Sequence, residues 1–207
     1  MIGCGSVTEM KSGPAFSKVD HSQLLAVSSR TPGHAYDYAQ RHDVPKVFEK
    51  PTELINDPGI DAVYVATPPD SHMAYALEVI RAGKPVYLEK PMARNYKECE
   101  SILEESEKKG VPVFVAYYRR GLPSFVRIKK MVEDGELGQI RLVRLNLTRQ
   151  LMNHISGELP WRVIPEISGG GLFVDLASHQ LDYLDFLAGP VSVVSSVVLN
   201  QGGKYRT

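Results

Sequence analysis

Three stretches of this sequence combine residue types and spacings suited to chemistry. In Gly3-Cys4-Gly5-Ser6-Val7-Thr8 two glycines stand one residue apart. The first of such a pair makes a tight turn, and the second lets backbone approach a pyrophosphate seated at the start of the next helix. The third position of that pattern, usually glycine or alanine, is Thr8 here. Glu89-Lys90-Pro91 follows an apolar run, so a lysine emerges at a strand end, where it can donate to a carbonyl or hydroxyl oxygen undergoing hydride transfer. "SGGGLFVDLASHQLD" opens on glycines and places Asp175 and His179 four residues apart, with Asp182 one turn further on. An imidazole beside a carboxylate can relay a proton. The same spacing also fits a helix salt bridge or two ligands of a metal; no third ligand is evident, and no metal is expected.

These residues need a frame, and the alternation of short β-branched runs with helical periods supplies one. "LLAVSS" (24–29), "DAVYVAT" (61–67), "PVYLEK" (85–90) and "PVFVAYY" (112–118) read as strands, the middle ones apolar enough to be buried on both faces. "AYDYAQRH", "SHMAYALEVIRAG" and "NYKECESILEESEKKG" read as helices. The last carries glutamate early, Lys108 and Lys109 late and Gly110 as its stop. Strand and helix in series predict right-handed crossovers and an α/β, doubly wound parallel sheet.

Such a sheet binds ligands at the carboxyl ends of its strands. The glycine turn, Thr67, Pro68 and His72 of "ATPPDSH", and Glu89-Lys90 all fall there, and Asp70 is expected to cap the following helix. After the second strand, where an NAD enzyme places a carboxylate on the ribose, this chain has Ser28, Ser29, Arg30 and Thr31. A serine pair and a guanidinium suit a 2′-phosphate, so NADP(H) is expected over NAD(H), which stays possible; otherwise Arg30 is a solvated surface charge.

Past residue 119 the pattern changes. "PSFVRIKKMVEDG" predicts a helix, "IRLVRLNLTRQ" (140–150) an alternating strand, about 171–188 a helix and "VSVVSSVVLN" (191–200) a further strand. This suits a mainly antiparallel open sheet covered on one face, and gives domains at 1–118 and 119–207. The glycine turn comes with hardly any strand before it, and the chain ends at "NQGGKYRT", so both the first strand and the second domain are expected to be cut short.

Lys+Arg and Asp+Glu are balanced at 24 each, which removes the basic footprint of a nucleic-acid binder, and 43% apolar residues argue against disorder. The two cysteines, Cys4 and Cys99, form neither a CxxC pair nor a disulfide framework. No run of about 18 apolar residues or secretory pattern occurs, so a cytoplasmic protein with no membrane partner is expected, and the Asn146-Leu147-Thr148 sequon is taken as chance.

"GCGSVT", "ATPPDSH", "EKP" and "GGGLFVDLASHQLD" together resemble the Gfo/Idh/MocA family of NAD(P)-dependent oxidoreductases, along essentially the whole chain. The resemblance implies a Rossmann domain followed by an α/β domain whose open sheet forms a dimer interface. It implies a reacting centre of Lys90, Asp175 and His179, with His179 exchanging the proton and Lys90 orienting nicotinamide or substrate. It also implies a cis peptide at Lys90-Pro91, and Trp161-Arg162 reaching the cofactor. Arg119 and Arg120 match a basic position near the site, or form an interdomain ion pair. Sugars, polyols and related cyclic alcohols are the implied substrates. The alternative is a nucleotide-binding sensor or an inactive fragment, against which the joint presence of Lys90, Asp175 and His179 speaks.

Overall fold

The computed structural model describes residues 1–148 and 159–199. The chain divides into two compact units, Met1–Ala116 and Tyr117–Thr207. No helix among the described residues is long and apolar enough to cross a membrane.

The first unit carries strands β1 (Ala26–Ser28), β2 (Lys46–Phe48), β3 (Val63–Val65), β4 (Val86–Leu88) and β5 (Val113–Val115). Its helices are α1 (Gly13–Phe16), α2 (Pro32–Arg41), α3 (Pro51–Asn56), α4 (His72–Arg81) and α5 (Tyr96–Lys109). β1 pairs with β2, and β3 with β4 and β4 with β5, all in parallel. Ile2 bridges β1 and β3, again in parallel, and joins the two groups into one sheet. The Ile2 N–H donates to Tyr64 O at 2.8 Å and the Gly3 N–H to Ser28 O at 2.8 Å. In return, the Ser28 N–H donates to Met1 O at 2.9 Å and the Ala66 N–H to Ile2 O at 2.8 Å. Three residues thus occupy the central strand position. The chain works outward from them through β1 to β2, then crosses back to β3, which makes the Met1–Gly3 segment the topological switch point.

Alternation along the strands sorts side chains to two faces. Ile2, Val63, Val65 and Leu88 pack with Leu54 and Ile55 of α3, Val79 and Ile80 of α4 and Ile102 of α5. Val27 and Tyr64 pack on the other side with Ala35, Tyr38 and Ala39 of α2. Helices on both faces explain why the central strands are apolar on every residue. α5 starts where the Asn95 side chain accepts from the Glu98 N–H, and stops at Gly110, whose φ of 65° is left-handed. β2 and α3 escape the sequence patterns because "KVF" is a short, half-polar edge strand and α3 spans only six residues.

The helix after the glycine turn contains a π-helical turn, Thr8–Ser12, in which the Gly13 N–H donates to Thr8 O. Tyr38 Oη donates to the same carbonyl at 3.1 Å. A Cβ on Gly13 would overlap that hydroxyl, so close helix packing falls on Gly13 rather than on the third position of the glycine pattern. Thr8 is buried there instead, its hydroxyl donating to Gly5 O at 2.7 Å.

The second unit holds α6 (Pro123–Glu133), α7 (Pro165–Ser168) and α8 (Gly171–Ala188), with 3₁₀ turns at Tyr118–Gly121 and Trp161–Val163. Arg120 Nε donates to Asp182 Oδ1 at 2.8 Å and its Nη2 to Asp185 Oδ2 at 2.9 Å. Arg119 donates to Gln180 Oε1 at 3.3 Å. The partners of both arginines lie on α8, in their own unit. Phe125 packs edge-on against Tyr183.

The expected antiparallel sheet is not formed among the described residues: 140–148 and 191–199 carry no strand pairing. Alternation selects which face a strand would bury, but a strand exists only through a neighbour's hydrogen bonds. Leu142, Leu147, Val193 and Val197 are correspondingly exposed. Residues 149–150 and Asn200 of the two expected strands, and the tail 201–207, lie outside the described residues.

Candidate active site

In the first unit, Gly3, Ser28, Thr67 and Lys90 all stand at carboxyl ends of neighbouring strands. Gly3 has φ +101°, and a Cβ there would sit 2.7 Å from the Ala66 carbonyl oxygen, so only glycine fits the turn. Gly5 is different. A Cβ on it would meet nothing within 4 Å, and Gly5 and Ser6 are exposed, leaving an open cradle where the helix begins. Val7 is half-buried behind them and packs on Tyr38 and its neighbours.

At the end of β1, Ser28 Oγ is buried without a hydrogen-bond partner among the described residues. Ser29 is buried and Arg30 exposed. An orphaned hydroxyl, an open glycine cradle and an exposed guanidinium along one sheet edge fit the groups a nicotinamide dinucleotide presents.

After β3, Ser71 Oγ lies 2.7 Å from Thr67 Oγ1 and 3.0 Å from Pro68 O, which fixes that loop. Asp70 is exposed and the helix-capping position is Ser71, so Asp70 is not the cap expected for it. His72 was expected to touch cofactor. It is fully buried instead, with Nδ1 2.9 Å from Pro91 O and Nε2 2.8 Å from Thr67 O. Its place is behind the two loops, which it ties together. Burial holds its pKa below the ordinary imidazole value, against the pull of the Thr67, Pro91 and Met92 backbone and the Glu89 charge.

After β4, Glu89 Oε1 accepts from Tyr64 Oη at 2.6 Å, and its Oε2 accepts from the Lys90 N–H at 3.3 Å. The Glu89 carboxylate is thus turned toward β3. The Lys90-Pro91 peptide is cis.

In the second unit, Gly169 (φ 79°) ends α7 and Gly171 (φ 65°) opens α8, so the glycine run makes the corner from which α8 projects. Arg162 Nε donates to Asp175 Oδ2 at 3.2 Å, and its guanidinium lies over the Trp161 ring, 4.3 Å from the centroid. Trp161 and Arg162 were expected on the cofactor; the structure gives Arg162 a partner in Asp175. His179 is buried, with Tyr117 and Tyr118 edge-on to its ring at centroid distances of 5.9 and 5.2 Å. Asp182 is held above the usual carboxylate range by burial, which outweighs the Arg120 charge beside it.

The sequence reading missed the partners of its own candidates: Tyr64 for Glu89, Arg162 for Asp175, and the tyrosine pair around His179. A signal for the first existed, because a tyrosine inside a buried strand brings a hydroxyl that must find a partner.

The first unit defines its class: a parallel sheet with helices on both faces, a glycine turn at the switch point and a strand order running out and back from the centre. Residues 1–117 match the family model described as the oxidoreductase family with NAD-binding Rossmann fold, and 125–206 match the GFO/IDH/MocA C-terminal domain. The chain belongs to the Gfo/Idh/MocA oxidoreductase family. It is similar to Oxidoreductase P35 of Formosa agariphila, at 44% identity over 92% of this chain and 60% of that protein. It is also similar to trans-1,2-dihydrobenzene-1,2-diol dehydrogenase of Danio rerio, at 30% identity over 80% of this chain and 48% of that protein. Among solved structures, levoglucosan dehydrogenase in complex with NADH and levoglucosan aligns with a TM-score of 0.71 and 28% identity, covering 79% of this chain and 44% of that one. The chain spans between about half and 60% of the length of these curated relatives.

Proposed function

We propose that this chain carries the nucleotide-binding and reacting residues of an NADP(H)- or NAD(H)-dependent oxidoreductase acting on the alcohol or carbonyl carbon of a sugar, polyol or cyclic diol. The observation that carries the reading is the placement of Lys90 at the same sheet edge as the open Gly5 cradle. Gly3, Gly5, Ser6, Val7 and Thr8 form the pyrophosphate turn, and Thr67 and Pro68 form the adjoining wall. Ser29 and Arg30 receive the ribose end, and Arg30 tilts the preference toward the 2′-phosphate.

A nicotinamide held at this edge would supply or accept the hydride. Lys90 steadies negative charge on the reacting oxygen, and His179 takes or gives the oxygen's proton. The tyrosines flanking His179 limit how its ring can turn. Asp175, four residues before His179, pairs with Arg162, whose guanidinium stacks on Trp161. The similarity to levoglucosan and dihydrodiol dehydrogenases supports cyclic alcohols as the substrate class. Homodimerisation through the exposed apolar residues of the second unit belongs to the same proposal.

The test is a hydride-transfer assay with oxidised NADP and NAD against levoglucosan, trans-1,2-dihydrobenzene-1,2-diol and a panel of cyclic polyols. Appearance of reduced nicotinamide with any of them, lost in Lys90→Ala, supports the reading. Absence of turnover together with absence of nucleotide binding rejects it.

A further inference from the structure

Tyr64 stands in the middle of β3, opposite Tyr87 in register, and the rings of Phe16 and Tyr87 both pack on it at centroid distances of 5.2 Å. A ring held on two sides aims its hydroxyl along one direction. That direction leads to Glu89 Oε1 at 2.6 Å, with Ser12 Oγ 2.9 Å from the same hydroxyl. A phenol has one proton, and the carboxylate is the stronger acceptor, so Tyr64 donates to Glu89 and Ser12 donates to Tyr64. The other oxygen of Glu89 takes the Lys90 N–H at 3.3 Å. The chain Ser12–Tyr64–Glu89–Lys90 therefore runs from the helix that opens at the glycine turn to the turn that carries the lysine.

We propose that Tyr64 is a positioning residue for Lys90, acting through the carboxylate of Glu89; the role of Lys90 itself rests on the function proposed above. Glu89 is half-buried, and its headgroup needs a fixed donor to keep one orientation. Without the phenol, the carboxylate is free to turn, and the Lys90 backbone loses the acceptor that fixes it. Burial and the neighbouring Glu89 charge raise the Tyr64 pKa far above the ordinary phenol value, so it stays a donor at any working pH.

Tyr64→Phe keeps the ring packing and removes only the hydroxyl. Two measurements on the nucleotide-free chain at neutral pH read the result: the carboxyl-carbon NMR chemical shift of Glu89, and the acetylation rate of the Lys90 amine followed by mass spectrometry. The expected outcome is a displaced Glu89 carboxyl-carbon resonance, because the carboxylate loses a hydrogen bond. The Lys90 acetylation rate is expected to change by about threefold or more, the size of coupling inside one hydrogen-bond network. Ser12→Ala is expected to shift both in the same direction by less, and it supplies the readout should Tyr64→Phe fold poorly. A Glu89 resonance or a Lys90 rate that stays at the parent value in the folded variant overturns the proposal. An NADPH titration of the parent chain separates the two levels: if it shows no binding while Glu89 and Lys90 still respond, the function fails and the positioning role stands.

Discussion

The imidazole of His72 lies with Nδ1 2.9 Å from the carbonyl oxygen of Pro91, and its other nitrogen 2.8 Å from Thr67 O, so one buried ring joins the loops after β3 and β4. Replacing it leaves the buried carbonyl that receives the imidazole N–H without a donor. His72→Leu is predicted to cost about 2–4 kcal/mol of folding stability, read by denaturant unfolding.

The same residue sets a pH dependence. Burial holds its folded pKa below the ordinary value, so the unfolded chain binds the extra proton as pH falls below about 6.5. The stabilising contribution is complete above that pH and is lost on going down toward the folded pKa, with a slope of up to ~1.4 kcal/mol per pH unit. Unfolding free energies of parent and His72→Leu between about pH 5 and 8 check this: the slope is predicted to be shallower in the variant.

Lys90→Ala and His179→Ala are each predicted to lower turnover by roughly a hundredfold or more, the size of lost electrostatic or acid–base help. Nucleotide affinity is predicted to stay close to that of the parent. Steady-state kinetics with parallel calorimetry measures both, and unchanged turnover in the two variants contradicts their assigned roles.

Arg30 is exposed at the end of β1, with no carboxylate in the four residues Ser28 to Thr31. Arg30→Ala is predicted to weaken NADPH by about tenfold, one charge-assisted hydrogen bond, and NADH by much less. A ratio of affinities that does not move rejects the 2′-phosphate assignment.

The two glycines of the turn are predicted to separate. Gly3→Ala meets a positive φ and the Ala66 carbonyl at 2.7 Å, and is predicted to cost about 3 kcal/mol or more of stability. Gly5→Leu projects into open space; it is predicted to change stability by less than about 1 kcal/mol while abolishing nucleotide binding.

What the sequence disclosed follows from how local each signal is. The glycine turn, the apolar strands and the capped helix α5 are written in neighbouring residues, and they appear where the periodicity places them. The helix Gly171–Ala188 does too. β2 was hidden because an edge strand needs little apolar character. Residues 140–148 and 191–199 alternate like strands, yet alternation cannot supply the pairing neighbour. At the site, the chemistry-bearing residues were legible by type, but their partners were not. Tyr64 and Glu89 are 25 residues apart, and no spacing rule links them before β3 and β4 pair. His72 looked like a ligand-facing residue at the head of a helix; the fold places that helix start beneath the loops rather than above them.

The most direct test of the central claim is calorimetric titration of the purified chain with NADPH and NADH, run in parallel on Gly5→Leu. The account predicts saturable binding at one site per chain, tighter for NADPH, and no binding heat in the folded variant. No binding of either nucleotide to the parent, or equal binding to Gly5→Leu, would contradict it.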